Sequence, residues 1–118
     1  MYKLTPQEEE LLQAVYKAGS GNIKHIMQHM GTDAPYTTIA STIKNLEKKG
    51  FLNSTMVGNT YIYAPSISQE EYKKKFVGSV VKQYFSDSYK EIVSFLVKQN
   101  KVSPKELKEI IKMIEKEK

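Results

Sequence analysis

A chain of 118 residues, 40% of them apolar, can bury one ordinary core, or a small core plus a helical extension that finds its burial in a partner, but not two full-sized domains. It contains no Cys, which removes disulfides, thiolate metal sites and cysteine nucleophiles together and suits a reducing compartment. The net charge of +5 is built from Lys alone, without a single Arg, so the bidentate guanidinium fork is excluded and any reading of base edges falls to Thr, Ser, Asn and Lys. No apolar run approaches the roughly 18 residues of a membrane span, and the opening MYKLTPQEEE lacks the basic-then-apolar order of a secretory signal. The expectation is a soluble, cytoplasmic protein with no membrane partner.

Three helix starts share one chemistry: Thr5-Pro6-Gln7-Glu8, Ser68-Gln69-Glu70-Glu71 and Ser103-Pro104-Lys105-Glu106. Each reads as a capping box, in which the hydroxyl accepts the third amide and the Glu accepts the amide of the cap itself. Pro6 and Pro104 fall at the first helical position, where a missing N–H costs nothing. The first helix is predicted over residues 6 to about 17, burying Leu11, Leu12 and Val15 and stopping at Gly19-Ser20-Gly21. Glu8, Glu9 and Glu10 in its first turn complement the helix dipole. Asn22 caps a second helix with Ile23, Ile26, Met27 and Met30 inward, predicted to end at Gly31.

After Thr32-Asp33-Ala34-Pro35, a connection longer than the tightest turn, a third helix is predicted from near Thr37 to Lys49, closed by Gly50 in the left-handed region. Ile39, Ile43 and Leu46 form its core stripe. Thr37, Ser41 and Lys48 project from the opposite side, with Thr38, Lys44 and Asn45 beside them. Small donors, acceptors and cations of this kind reach base edges and phosphates from a helix in a DNA major groove. The expected DNA-binding set on this helix is Thr37, Thr38, Ser41, Thr42, Lys44, Asn45 and Lys48. A merely solvated helix face is the alternative.

Residues 51–57 and 60–64 alternate around Gly58-Asn59, a hairpin signal, with Tyr61 and Tyr63 on one face and Ile62 on the other. Three helices closed by such a hairpin make a winged helix, and Asn59 and Thr60 at the tip join the expected DNA-binding set. A hairpin that only extends the fold is the alternative. The predicted winged helix-turn-helix domain covers residues 1–66.

Residues 67–118 form a predicted helical dimerisation region, so that the whole is mainly α. Tyr72, Phe76, Val80 and Tyr84 repeat every four residues; Ile92, Val93, Phe95 and Leu96 form a second run, and Leu107, Ile110, Ile111 and Ile114 a third. Helices alone cannot easily bury so many rings and branched chains within about fifty residues, and a second copy solves the problem. The expected homodimer interface is Phe76, Val80, Tyr84, Ile92, Phe95, Leu96, Leu107, Ile110, Ile111 and Ile114. Folding back on the first half is the alternative. Residues 1–66 carry six Lys against five acids, and residues 67–118 twelve against eight, so bulk basicity does not single out the third helix.

His25 and His29 lie one helical turn apart, but no other His and no Cys exists to complete a metal sphere. They read as polar residues on the outer face of the second helix. Lys73, Lys74 and Lys75, and the Lys-Glu alternation of residues 112–118, read as solvated helix surface. The expectation is a protein that is not an enzyme, with no catalytic residue, no metal and no cofactor.

The chain resembles the penicillinase-repressor family of winged-helix repressors, over nearly its whole length. The likeness rests on Leu4-Thr-Pro-Gln-Glu-Glu-Glu-Leu-Leu12, on Thr38-Ile-Ala-Ser-Thr-Ile-Lys-Asn-Leu-Glu-Lys-Lys-Gly50 with Phe51-Leu52, on Tyr61-Ile-Tyr-Ala-Pro65 and on Ser68-Gln-Glu-Glu-Tyr72. The resemblance implies a transcriptional repressor that binds a palindromic operator in double-stranded DNA as a homodimer, with the third helix in the groove and the wing on the backbone. It also implies a sensor-linked protease as partner, cutting at an Asn-Phe bond that aligns with Ser94-Phe95, where Ser stands in place of Asn. The cysteine metal hook of a copper-responsive branch has no counterpart here. The competing expectation is a winged-helix protein-interaction module without specific DNA binding.

Overall fold

The computed structural model describes residues 3–31 and 33–117. It opens on the expected capping box: Thr5 Oγ1 accepts the Glu8 amide at 3.1 Å, and Glu8 Oε1 accepts the Thr5 amide at 2.9 Å. These bonds satisfy two of the orphan amides at the start of α1, Pro6–Ala18. The helix stops at Gly19, whose φ of 83° lies where only Gly sits without strain. Asn22 Oδ1 then accepts the His25 amide at 2.8 Å and starts α2, Ile23–Met27.

This second helix is shorter than predicted. The amides of His29 and Met30 bond three residues back, to Ile26 and Met27, so the chain tightens out of α geometry before it reaches Gly31. Ile26 is fully buried, while Ile23, Met27 and Met30 pack partly buried against the core. Thr32, the first residue of the predicted connection, lies outside the described residues, as does Lys118 at the end of the Lys-Glu run. The third helix, α3, spans Tyr36–Lys48 with Pro35 at its cap position. At its far end Gly50, φ 90°, lets the Phe51 amide reach back to the Leu46 carbonyl at 2.9 Å.

Strands β1, Leu52–Val57, and β2, Thr60–Pro65, pair antiparallel with Val57 opposite Thr60, so Gly58-Asn59 is the whole turn. A rung not foreseen from sequence joins Gly21 to Tyr63: each amide donates to the other's carbonyl, at 3.0 and 2.9 Å. It ties the segment between α1 and α2 to the base of the hairpin. Leu11, Leu12, Val15, Ile26, Ile39, Ile43, Leu46, Phe51, Leu52, Tyr63 and Tyr72 build one core beneath these elements. The fold is a winged helix and, with the helices that follow, the chain is mainly α.

The remaining helices are α4, Gln69–Tyr84, α5, Tyr89–Lys98, and α6, Pro104–Glu117. The chain divides into two compact units, Met1–Lys73 and Lys74–Lys118. The first takes in the opening turn of α4, because Tyr72 is buried with Phe51, ring centroids 5.9 Å apart, and with Tyr16 at 6.4 Å. In the second unit, Ser86 and Asp87 take positive φ and let the Asp87 amide return to the Val81 carbonyl, which closes α4. Ser88 Oγ caps α5 by accepting the Glu91 amide at 3.2 Å, and Ser103 and Glu106 form the reciprocal box that starts α6. No residue of α5 or α6 among those described is fully buried.

Candidate nucleic-acid interface

The two sides of α3 differ sharply. Ile39, Ile43 and Leu46 are at most 1% exposed, whereas Thr37, Ser41, Lys44, Asn45 and Lys48 are all exposed and Thr38 is half-buried. Thr42 is the exception to the expected DNA-binding set. It lies three residues after Ile39 and four before Leu46, within the core stripe, and is 5% exposed. Its hydroxyl donates to the Thr38 carbonyl at 2.8 Å, so neither its surface nor its proton is available outside, and it leaves the candidate interface. Ser41 Oγ donates to the same carbonyl at 2.9 Å but is exposed, and its lone pairs can still accept.

Asn59 and Thr60 stand exposed at the tip of the wing. Strand register puts Leu52, Ser54 and Met56 on one face with Tyr63 and Tyr61. That face is buried at its base, where Leu52 and Tyr63 enter the core, and bare at its tip, where Met56 and Tyr61 are about half exposed. Residues 52–65 contain no charged side chain, so the wing offers amides, hydroxyls and apolar surface but no cation. Burial pushes the Tyr63 phenol up, and the Glu47 carboxylate pushes it further. Tyr36, the first residue of α3, is half exposed and was not foreseen as part of this surface; its position at the helix start was the available signal.

Polar links hold the C-terminal end of α3. Glu47 accepts from Ser54 Oγ of β1 at 2.5 Å. Lys49, the residue after α3, places its ammonium 2.8 and 2.9 Å from the two carboxylate oxygens of Glu8 on α1. Burial of Glu8 works to raise its pKa, but the Lys49 ammonium and the hydrogen bonds from Lys49 and Thr5 outweigh it and hold the carboxyl below its usual value. Glu8 therefore pairs with a partner across the core as well as capping its own helix. Glu9 beside it accepts from the Tyr72 hydroxyl.

The expected interface residues of the second unit fall into two groups. Phe76, Tyr84, Phe95, Ile110, Ile111 and Ile114 are exposed by 45% or more, and Val80, Ile92, Leu96 and Leu107 are half-buried. Val77, Tyr89, Val93, Val97 and Met113, not in the expected set, are exposed as well. The Phe85 and Phe95 rings meet at a tilt of 59°, centroids 5.5 Å apart. Ser94-Phe95 lies inside α5. His25 and His29 are both exposed, with rings in edge contact at 5.2 Å, and among the described residues no cluster of three or more His, Cys, Asp or Glu could hold a metal. No described helix is long and apolar enough to cross a membrane.

Comparison with known proteins matches residues 4–116 to the penicillinase repressor family. A penicillinase repressor of Bacillus licheniformis is 21% identical over 118 residues, covering 98% of this chain and 92% of that one. Among solved structures, a transcriptional regulator of Thermotoga maritima aligns with 97% of this chain and 78% of its own, at 23% identity and a TM-score of 0.50. BpsR of Bordetella bronchiseptica, studied for regulation of its DNA binding by 6-hydroxynicotinic acid, aligns with 97% of this chain and 74% of its own, at 15% identity and a TM-score of 0.49.

Proposed function

The chain belongs to the penicillinase repressor family, transcriptional regulators of the winged-helix type, and from that premise we propose that it is a sequence-specific repressor acting as a homodimer on a palindromic operator. In this reading α3 enters the major groove and the wing lies on the flanking backbone. The observation that carries it is the bare polar face of α3, Thr37, Ser41, Lys44, Asn45 and Lys48, held outward by a stripe buried to 1% or less. Asn45 addresses base edges as donor and acceptor, the Ser41 hydroxyl accepts, and Lys adds charge toward phosphate.

Dimerisation is assigned to residues 67–118, where α5 and α6 carry rows of half-buried and exposed apolar side chains. If each chain hides about 800 Å² on pairing, over half of it apolar, transfer contributes roughly 10 kcal/mol per chain before association costs. Two α3 helices related by a two-fold axis then meet half-sites about one helical turn apart, which is why an inverted repeat is the matching target. The place of action is the cytoplasm. A sensor-linked protease would have to open α5 to reach Ser94-Phe95, and Ser in place of Asn weakens that route; Ser94→Asn is expected to raise cleavage in a digestion series.

The direct test selects bound fragments from genomic DNA with purified full-length protein. One inverted repeat enriched over all others is the expected result. Fragments without a shared sequence would replace this reading by the interaction-module alternative.

A further inference from the structure

Packing of α3 on the core through Ile39, Ile43 and Leu46 is apolar and therefore non-directional; it fixes which face is outward more firmly than how far the helix slides or tilts. The directional side-chain contacts to other elements sit at one end, where Glu47 accepts from Ser54 of β1 and Lys49 reaches α1. Glu8, buried to 4% exposure, accepts Lys49 Nζ on both of its carboxylate oxygens and the Thr5 amide as well, and the Lys49 side chain is itself only 27% exposed. The partners are 41 residues apart in sequence, joining the first turn of α1 to the end of α3. A buried ion pair contributes little net stability, because desolvation of both charges offsets their attraction; its better-attested use is to specify one arrangement among several of similar energy.

Geometry makes that use matter at α3. A helix of 13 residues is roughly 20 Å long, so a tilt of about 5° at the held end moves the other by nearly 2 Å. Hydrogen bonds to base edges tolerate a few tenths of an ångström, whereas Lys contacts to phosphate, made through long flexible chains, tolerate far more. We infer that Glu8 and Lys49 are positioning residues for sequence discrimination: the pair fixes the pose of α3, and its loss degrades operator recognition while leaving general DNA affinity nearly intact. This rests on the repressor reading above. Lys49 accordingly serves the interface without being one of its phosphate contacts.

Glu8→Gln tests it, because Gln keeps one oxygen for the capping box with Thr5 while it removes the charge and the second oxygen that hold Lys49. Lys49→Met alone is a poor test, since it strands a buried carboxylate. The double variant Glu8→Gln/Lys49→Met removes both charges and guards against a single variant that fails to fold. Full-length variants, checked for fold by circular dichroism and for dimer by sedimentation, are titrated with the inverted repeat recovered from genomic selection and with a scrambled duplex of equal length. Operator affinity is expected to fall about tenfold in both variants while scrambled-duplex affinity stays within about twofold. Folded variants that keep wild-type affinity for both duplexes would overturn the inference alone. An equal fall on both duplexes would also overturn it, by reducing the pair to a structural role. A wild-type protein with no preference between the duplexes would overturn the repressor reading and the inference with it.

Discussion

Lys44 and Thr42 lie two residues apart on one helix and are assigned opposite roles by burial. Lys44→Glu places a negative charge against phosphate and is expected to abolish operator binding with the dimer intact, read by gel shift beside sedimentation. Thr42→Val, by contrast, removes the bond to the Thr38 carbonyl and is expected to cost about 1 kcal/mol of stability in urea unfolding, with operator affinity unchanged wherever the protein is fully folded. Titratable groups add a pH dependence of known sign. The Glu8 pKa is lowered on folding, so its contribution is present above the unfolded carboxylate value and is lost as pH falls through the lower folded one. Burial raises Tyr16 and Tyr63, and burial with the Glu9 hydrogen bond raises Tyr72, so their contribution is present below the unfolded phenol value and is lost as pH rises through the raised ones. Urea midpoints are expected to fall at both extremes, and Tyr72→Phe to flatten the alkaline decline.

Among the elements, α3 and the wing are proposed to contribute to DNA binding by different physics. The wing has no charge from residue 52 to 65, so Asn59→Ala is expected to weaken binding equally at all salt concentrations, whereas Lys44→Ala or Lys48→Ala should reduce the slope of log affinity against log salt by about one per chain. An unchanged slope in the lysine variants would remove those ammonium groups from the phosphate contacts. The elements most legible in sequence are those set by local chemistry: the Thr5 and Ser103 boxes, the Gly50 stop and the two-residue turn at Gly58-Asn59 are where the residues put them. The early end of α2 was not legible, because it comes from a tightening of backbone bonds before Gly31. Ser88-Tyr-Lys-Glu91 carries the same spacing as the Thr5, Ser68 and Ser103 caps, and Ser88 Oγ accepts the Glu91 amide at the start of α5, a signal present in the sequence but outside the expected set. The Glu8–Lys49 pair and the Gly21–Tyr63 rung join segments about forty residues apart, and no local period reports such contacts.

At the scale of the whole molecule, one chain is proposed to join a winged helix that presents α3 to helices that pair it with a second copy. Phe95→Ala and Ile110→Ala are expected to weaken dimerisation and, through it, operator affinity, although neither residue belongs to the DNA-binding set; unchanged dissociation in sedimentation velocity would refute the interface assignment. The fold was legible at this scale because helical and strand periods alternate in the order a winged helix requires. The candidate site was legible in its outline; at Thr42 the spacing from Ile39 and Leu46 already marks an inward position, and its hydroxyl pointed the expectation outward instead.

The central claim is that the outward face of α3 reads an operator, and Ser41→Glu addresses it most directly. Ser41 is exposed in the middle of that face, and a carboxylate there meets base acceptors and phosphates while leaving the core stripe and the C-terminal helices untouched. Equilibrium titration of the selected inverted repeat with this variant, confirmed as a dimer by sedimentation, is predicted to show no specific binding. Affinity equal to that of the wild-type dimer would contradict the account.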